Sequence, residues 1–258
     1  MDRKKVALVL SGGAALGLTH IGVIKALEKY KVPIDIVVGT SMGALVGSAY
    51  CSGLSVKEMT DFACKFNKSN FFDVNFNMSG IFSGKGVMRS INKFLPDKNI
   101  EDFKRTFACV SCELYSQQEV VFTSGNVREA VRASLSIPGI FVPVEKDDKL
   151  YVDGGMINNL PEDVAVKLGA DIIISVDVLS NYKISKKPRN IMDTLVYSMN
   201  VMIKEIQKRK KKYSDVLIQP EITGLNQLSF GKANTQTFIK IGAKETEKHI
   251  EQILKLIK

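Results

Sequence analysis

Long apolar runs are missing from this sequence of 258 residues. No run approaches the roughly 20 apolar residues that a membrane-spanning helix needs, so we expect no transmembrane segment. The N-terminus places MDRKK before VALVL, an order typical of secretory signals. However, the apolar run is too short, and it leads into a glycine loop without a typical cleavage pattern. We therefore interpret VALVL as a buried strand and predict a cytoplasmic protein without a signal peptide.

Cysteine is sparse as well, and its spacing does not predict a metal or redox centre. Only Cys109 and Cys112 have the spacing of such a pair, and no second cysteine pair or nearby histidine completes a site. An acidic loop of the kind that binds calcium is also absent. Together with Cys51 and Cys64, these residues are expected to be reduced and structural. We predict no metal and no cofactor.

Acidic residues are outnumbered by basic ones, which gives the chain a net charge of +9. Much of the excess lies in residues 204–212 (KEIQKRKKK) and in the lysine-rich C-terminal segment. Nucleic acid is not the expected partner, because aromatic and basic residues do not interleave. A solvated helix face explains most of the excess. A weak peripheral attraction to anionic lipid headgroups, at the inner face of a membrane, remains an open alternative.

The order of apolar segments and glycine loops predicts an α/β fold. Residues 5–10 read as a strand buried on both faces, and a small-residue loop, a helix (18–30) and a second strand (34–38) follow. This order forms a right-handed crossover unit, so we predict a mostly parallel sheet with helices on both sides. Further helices are predicted at 55–65, 86–94, 127–134, 161–169 and 190–213, and further strands at 107–114, 119–122, 149–152, 171–178 and 215–219.

No repeat or clear boundary interrupts the chain, so residues 1–258 are predicted to form a single domain. Its motif-bearing core spans about 5–180, and about 190–258 complete it. Two apolar groups need an interpretation. The stripe in the predicted helix 190–213 is interpreted as core packing. Segment 66–86 is interpreted either as an irregular segment packed on the core or as a lid or acyl-chain wall. The stripe consists of Met199, Met202, Ile203 and Ile206, and the segment contains Phe71, Phe72, Phe76, Ile81 and Phe82.

The sequence Gly39-Thr40-Ser41-Met42-Gly43 follows the second predicted strand and precedes an apolar helical segment. A nucleophile elbow needs this order, because a sharp turn raises the serine above the sheet edge while glycines leave room for the close backbone. The helix that follows would direct its positive dipole end at the serine and favour an oxyanion there. We therefore predict that Ser41 is a nucleophile, with an ordinary strand-to-helix turn as the alternative.

Histidine is nearly absent, which restricts the choice of a base for this serine. His249 lies among Lys and Glu in the C-terminal helix, and His20 is expected to brace the helix after the glycine loop. A Ser-His-Asp triad of the α/β-hydrolase kind expects its histidine on a loop after the last strands, where this chain has none. A carboxylate is the better base. Asp153 ends a short strand and precedes two glycines, although Asp-Gly is also common in plain turns.

The loop Gly12-Gly13-Ala14 can stabilise an oxyanion through its backbone amides. A phosphate-binding loop is the main rival interpretation, because Gly17 follows at a suitable distance. That interpretation fails on two points: no Gly-Lys-Ser/Thr end is present, and the Gly-x-Gly-x-x-Gly spacing is broken at Ala14.

SGGAALGLTHIGV, GTSMG and DGG, in this order, resemble the patatin-like phospholipase family, and RASLSIPGIFVPV and DGGMINNLP are similar to it as well. The likeness covers residues 5–180, with a looser match beyond. It implies a patatin-like three-layer α/β/α fold and lipid acyl-ester hydrolysis by a Ser41–Asp153 dyad without a metal. It also implies oxyanion-hole amides at Gly12, Gly13 and Ala14. The remaining motif glycines are Gly17, Gly39, Gly43, Gly154 and Gly155.

Two departures from the family's pattern concern the glycine loop. Ala14 replaces a third consecutive glycine, and Leu16 replaces a common Arg or Lys. A methyl group at a position of positive φ costs stability. The expected function is a serine acyl hydrolase acting on phospholipids or lysophospholipids. The alternatives are an esterase or thioesterase for soluble acyl substrates, and a lipid-binding protein with a vestigial site.

Overall fold

A computed structural model describes residues 3–66, 80–184 and 187–258. The strands of these residues are β1 (Val6–Leu10), β2 (Ile36–Thr40), β3 (Thr106–Glu113), β4 (Gln118–Phe122), β5 (Val144–Lys146), β6 (Lys149–Asp153), β7 (Ile172–Val176) and β8 (Val216–Ile218). The helices are α1 (Thr19–Lys29), α2 (Met42–Cys51), α3 (Val56–Lys65), α4 (Lys85–Phe94), α5 (Val127–Ser134), α6 (Glu162–Lys167), α7 (Ile191–Arg209) and α8 (Lys232–Ile257).

The strands form one mixed sheet in the order β5-β6-β3-β2-β1-β7-β8, and β4 also pairs with β3. The five strands β3, β2, β1, β7 and β8 are parallel to one another. The pairs that involve β4, β5 and β6 are antiparallel. The prediction of a mostly parallel sheet is therefore confirmed, with an antiparallel portion beyond β2.

Strand β1 separates two apolar layers, as a strand buried on both faces must. Leu8 and Leu10 belong to a large cluster that includes residues of α1, α2 and α8. Ala7 and Val9 belong to a smaller cluster on the other face, which α6 covers. The sheet therefore lies between helical layers, which gives the predicted three-layer arrangement.

The long helix α8 crosses α1 at two glycines. A Cβ atom at Gly22 would overlap the backbone carbonyl oxygen of Ile239, and one at Gly242 would overlap that of Thr19. Both glycines therefore let the two helix backbones approach more closely than any side chain would permit. This crossing attaches the C-terminal helix to the first helix of the chain.

Most predicted elements are present, with shifted ends. Helix α1 begins one residue later than predicted and follows a short 3₁₀ helix, Ala14–Leu18. Helix α7 ends at Arg209 rather than at residue 213. Strand β5 was not predicted, because its three residues are partly or fully exposed and show no apolar pattern.

The interpretation of the α7 stripe as core is wrong for half of its residues. Met199 and Ile203 face a pocket, whereas Met202 is 47% exposed and Ile206 is 37% exposed. The two pairs lie on adjacent faces of the same helix. Apolar periodicity in a sequence shows that a helix has an apolar side. Where that side is wide, the periodicity does not show which part of it packs against the rest of the protein.

The alternatives for segment 66–86 stay open. Its residues Phe71, Phe72 and Phe76 lie outside the described residues. Ile81 is exposed, and Phe82 places its ring 6.1 Å from that of Phe141.

Candidate active site

Ser41 lies at the turn between β2 and α2. Its backbone has φ 54° and ψ −121°, a conformation that is strained for a residue other than glycine. A Cβ at Gly39 would lie 2.5 Å from the Gly43 carbonyl carbon, and a Cβ at Gly43 would overlap the carbonyl oxygen of Leu10. The two glycines therefore allow the close backbone approach that a nucleophile elbow needs.

Asp153 reaches Ser41 because two strands meet along one edge of β3. Thr40, the last residue of β2, pairs with Val110, and Asp153, the last residue of β6, pairs with Ser111. Strand β4 pairs with both residues of β3, so β2 and β6 share the opposite edge and end facing each other. The Ser41 hydroxyl donates a hydrogen bond of 2.6 Å to Asp153 Oδ2.

The surroundings of Asp153 favour its neutral form more than water would. Burial raises the pKa of the Asp153 carboxyl from about 3.8 to about 6. Hydrogen bonds from the Ser41 hydroxyl and from the Gly155 N–H to Oδ1, the latter 2.8 Å long, lower the pKa and oppose this rise. The carboxyl is therefore poised to accept a proton near neutral pH, where a general base is most useful.

Ser134 fixes the backbone of the elbow, a role that was not predicted from the sequence. Its hydroxyl donates to the Val110 carbonyl oxygen at 2.7 Å and accepts the Ser41 N–H at 2.8 Å. The only sequence signal for this residue was its place in the RASLSIPG run, which resembles the family.

The glycine loop presents two backbone amides that have no acceptor among the described residues. The Gly12 N–H donates to the Asn159 carbonyl oxygen at 3.2 Å, so this amide is used within the fold. The flanking Ala15 N–H donates to the Gln227 carbonyl oxygen at 3.1 Å. Only the Gly13 and Ala14 amides are therefore available to bind a ligand. The expected oxyanion hole of three residues is reduced to these two, because the Gly12 amide is already bonded.

The two departures in this loop differ in their structural consequences. Ala14 has φ 49°, so the third position of the loop does adopt the conformation that glycine favours. Leu16 is fully buried in the apolar core. A Cβ at Gly17 would lie 2.5 Å from Met42 Cγ, so this glycine lets α2 pack against the loop.

Two consecutive asparagines connect the loop, the elbow and the Asp153 turn. The Asn158 carbonyl oxygen accepts the Thr40 hydroxyl at 2.8 Å, and the Asn159 side chain contacts the Gly12 carbonyl oxygen at 3.4 Å. Cβ atoms at Gly12 and Gly155 would both crowd Asn159 Oδ1. Gly154 packs just as tightly, because a Cβ there would overlap the Val110 carbonyl oxygen. These contacts hold three separate chain segments around one site.

Neither histidine has a hydrogen bond to Ser41 or Asp153 among the described contacts. His20 is fully buried, and its Nε2 lies 2.8 Å from the Ser11 carbonyl oxygen, which agrees with the predicted role as a brace. Burial lowers the pKa of His20 to about 4, so the ring is neutral at physiological pH. His249 lies on α8, 3.9 Å from Glu245.

A pocket opens above Ser41 and Asp153. Apolar side chains from the segment after α5 and from the inner face of α7 form most of its wall. Its polar members are few, as is usual in sites for apolar ligands. The wall includes Leu135, Ile137, Ile140, Phe141, Val196 and Ile203.

Within the described ranges, no three His, Cys, Asp or Glu side chains converge in a way that could hold a metal ion. None of the helices in those ranges has the length and apolarity needed to cross a bilayer.

Comparison with known proteins assigns the sequence to a family. The model of the patatin-like phospholipase family matches residues 8–166, which is more than half of the chain. The chain belongs to the patatin-like phospholipase family. The matched region contains the glycine loop, the elbow and Asp153, which are the segments that the structure brings together.

Similar proteins are much longer than this chain. Human patatin-like phospholipase domain-containing protein 6 is 38% identical over 181 residues, which are 67% of this chain and 13% of the relative. Lysophospholipase nte1 of Aspergillus fumigatus is 38% identical over 181 residues, or 68% of this chain and 12% of the relative. The crystal structure of VipD from Legionella pneumophila shares the fold, with a TM-score of 0.65 and 14% identity over 98% of this chain and 67% of VipD.

Proposed function

We propose that this chain is a serine acyl hydrolase that cleaves fatty-acyl esters of phospholipids or lysophospholipids, acting as a single domain. The hydrogen bond of 2.6 Å from Ser41 to the buried Asp153 carries the proposal. A serine hydroxyl is a weak nucleophile and needs a positioned base, and a carboxylate with a pKa near 6 is suited to that role.

The reaction would take place in two halves. In the first, Ser41 Oγ attacks the acyl carbonyl carbon while its proton passes to Asp153 Oδ2. The amides of Gly13 and Ala14 stabilise the tetrahedral oxyanion, and its collapse transfers the proton to the leaving alcohol. In the second half, Asp153 takes a proton from water as the resulting hydroxide attacks the acyl-enzyme. Collapse of the second tetrahedral intermediate returns this proton to Ser41 Oγ, and the fatty acid leaves.

The pocket and one relative support a lipid substrate. The wall beside Ser41 is mainly apolar, which suits an acyl chain better than a polar leaving group. The Aspergillus fumigatus relative is named a lysophospholipase. Soluble acyl esters or thioesters are the alternative substrates, and dependence on acyl-chain length distinguishes them from lipids.

A fluorophosphonate probe tests the dyad and the oxyanion loop together. Its phosphonyl oxygen imitates the oxyanion, so labelling requires an activated serine and working amides. We expect one adduct, located at Ser41 by peptide mass spectrometry and absent from Ser41→Ala. Ser52→Ala, which removes a serine hydroxyl at the other end of α2, is the matched control and should label normally. A folded wild-type protein that remains unlabelled would instead support a lipid-binding protein with a vestigial site.

The proposal includes peripheral contact with the cytoplasmic face of an anionic membrane through α7. The inner side of α7 lines the pocket, whereas its outer side exposes Ile191, Val201, Met202 and Ile206. Exposed basic residues continue from the end of this helix, at Arg209 and at 211–212. Apolar side chains beside basic ones are typical of surfaces that insert into a lipid interface and attract anionic headgroups.

Sedimentation with vesicles tests this contact. Replacing Met202 and Ile206 together by Glu should weaken binding to vesicles rich in phosphatidylserine by about tenfold or more, since it removes apolar insertion and adds negative charge. Val166→Glu is the matched control, because Val166 is similarly exposed but lies on α6. Wild-type binding should fall as salt is raised. Equal binding by the double variant and the control would exclude α7 as the contact.

A further inference from the structure

A second cavity adjoins the active-site pocket. Met42 and Phe230 line both spaces, so these two side chains form the partition between them. The second cavity lies among α1, α2, α3 and α4, on the side of the sheet that holds the large apolar cluster. The other described residues that line it are Leu18, Ile21, Leu45, Val46, Met59, Phe62, Ala63, Phe66, Ser90, Ile91 and Phe94.

Among the described residues, the lining of the second cavity offers water almost no hydrogen-bonding partner. Ser90 is the one polar residue that the structure places there, and its hydroxyl donates to the Gly86 carbonyl oxygen of its own helix at 3.0 Å. A cavity lined by apolar groups stays dry and accepts apolar guests. Hydrocarbon is therefore the chemical class that fits this space.

The cavity begins directly beside the nucleophile. Met42 follows Ser41 in sequence, and Met42, Leu45 and Val46 lie on one face of α2, at the spacing of one helical turn. A chain bound with its carbonyl carbon at Ser41 Oγ can therefore continue along this face.

The partition between the two spaces consists of a flexible side chain, Met42, and an aromatic one, Phe230. Met42 is unbranched and flexible, and its Cβ and Cγ lie close to the bare backbone of Gly17. Phe230 places its ring 4.8 Å from that of Phe66, which also lines the second cavity. Rotation of the Met42 side chain would join the two spaces without a change in the backbone.

We propose that the second cavity holds the distal part of the substrate's acyl chain and that Met42 and Phe230 separate the proximal from the distal section. This inference rests on the proposed function and adds to it a preference for long chains. Each methylene buried in the cavity should raise kcat/KM by a factor of about four, given the free energy of burying a methylene. Chains too short to pass Met42 gain nothing from the cavity.

Filling the cavity at Ser90 tests the inference. Ser90→Phe places a ring in the space and removes only a hydrogen bond within α4, while Ser90→Ala removes the same bond without filling the space. We expect Ser90→Phe to lower kcat/KM for p-nitrophenyl palmitate by at least tenfold and to leave p-nitrophenyl butyrate unchanged. Ser90→Ala should match the wild type on both esters. If Ser90→Phe does not fold, Ser90→Leu is compared in the same way.

A binding measurement separates this inference from the proposed function. Ser41→Ala cannot turn over substrate, so a fluorescent long-chain fatty acid can be titrated into it with and without Ser90→Phe. We expect the added ring to raise the Kd at least tenfold. Ester hydrolysis without chain-length discrimination, together with an unchanged Kd, would overturn the cavity assignment alone. A raised Kd in a protein that hydrolyses no ester would support the cavity and refute the hydrolase.

Discussion

Asp153→Asn should lower turnover by about 10²–10⁴-fold, the usual contribution of a general base. The amide keeps the shape of the carboxyl but does not accept the Ser41 proton. For the wild type, kcat/KM should rise with pH through about 6 and then level off, because only the ionised Asp153 acts as a base. The same substitution should flatten this pH profile. Near-wild-type turnover by Asp153→Asn would show that another group activates Ser41.

The same variant should be more stable than the wild type above pH 6. Burial raises the pKa of Asp153 from about 3.8 to about 6, so between these pH values the folded protein holds a proton that the unfolded chain releases. The free energy of unfolding therefore falls as pH rises through this window. Above the window, the full destabilisation from burying the ionised carboxylate is present. A shift of about two pKa units corresponds to about 3 kcal/mol at most.

Thermal and urea unfolding at pH 4 and pH 8 measure this effect. We expect Asp153→Asn to raise Tm at pH 8 by roughly 5–10 °C and to show little gain at pH 4. Ser41→Ala is the matched control, because it also removes activity but leaves the carboxyl buried. Equal stability of the two variants at pH 8 would contradict the electrostatic cost assigned to Asp153.

Gly22→Ala and Gly242→Ala should each destabilise the fold by about 1–3 kcal/mol, the range typical of overpacking. Each new methyl group would overlap a backbone carbonyl oxygen of the facing helix, that of Ile239 or that of Thr19. A backbone oxygen cannot rotate away as a side chain can, so the helices must separate and lose packing along their whole contact.

Whether Gly22→Ala and Gly242→Ala lower or raise stability shows whether the two helices are in close contact at these residues. In an exposed helix, alanine is more favourable than glycine by about 1 kcal/mol, so a site without close contact would be stabilised. Urea unfolding of the two variants can be compared with Lys25→Ala and Lys240→Ala, which change exposed residues of α1 and α8. Stabilisation by Gly22→Ala would show that the two helices do not approach closely there.

The local parts of the site could be predicted from the sequence. The elbow around Ser41, the loop at Gly13 and Ala14, and the turn after Asp153 are each encoded by a few adjacent residues of unusual type. Their conformations follow from the need of glycine and small residues for close backbone contact. Local patterns also sufficed for a mostly parallel sheet between helices.

Long-range register could not be predicted. That β2 and β6 end facing each other on β3 depends on which residues of distant strands pair, and the pairs Thr40–Val110 and Ser111–Asp153 are separated by many positions. The support from Ser134 depends on the same register, since its hydroxyl bonds to Val110. The sequence also could not show that the Gly12 N–H already donates a hydrogen bond within the fold, because its acceptor is the carbonyl oxygen of the distant Asn159.

The contacts of the glycine loop also determine how late in protein synthesis this loop can become ordered, because the chain is synthesised from its N-terminus. The Ala15 N–H donates to the Gln227 carbonyl oxygen, and the Gln227 side chain pairs with that of Asn200. These residues, and α8 after them, are synthesised long after the loop. Ribosomes would thus release both Ser41 and Asp153 well before the residues that hold the loop in place. Contacts between such distant segments form late in folding. A nascent chain from which Ser41 and Asp153 have already emerged therefore still lacks the contact that holds the glycine loop at Ala15.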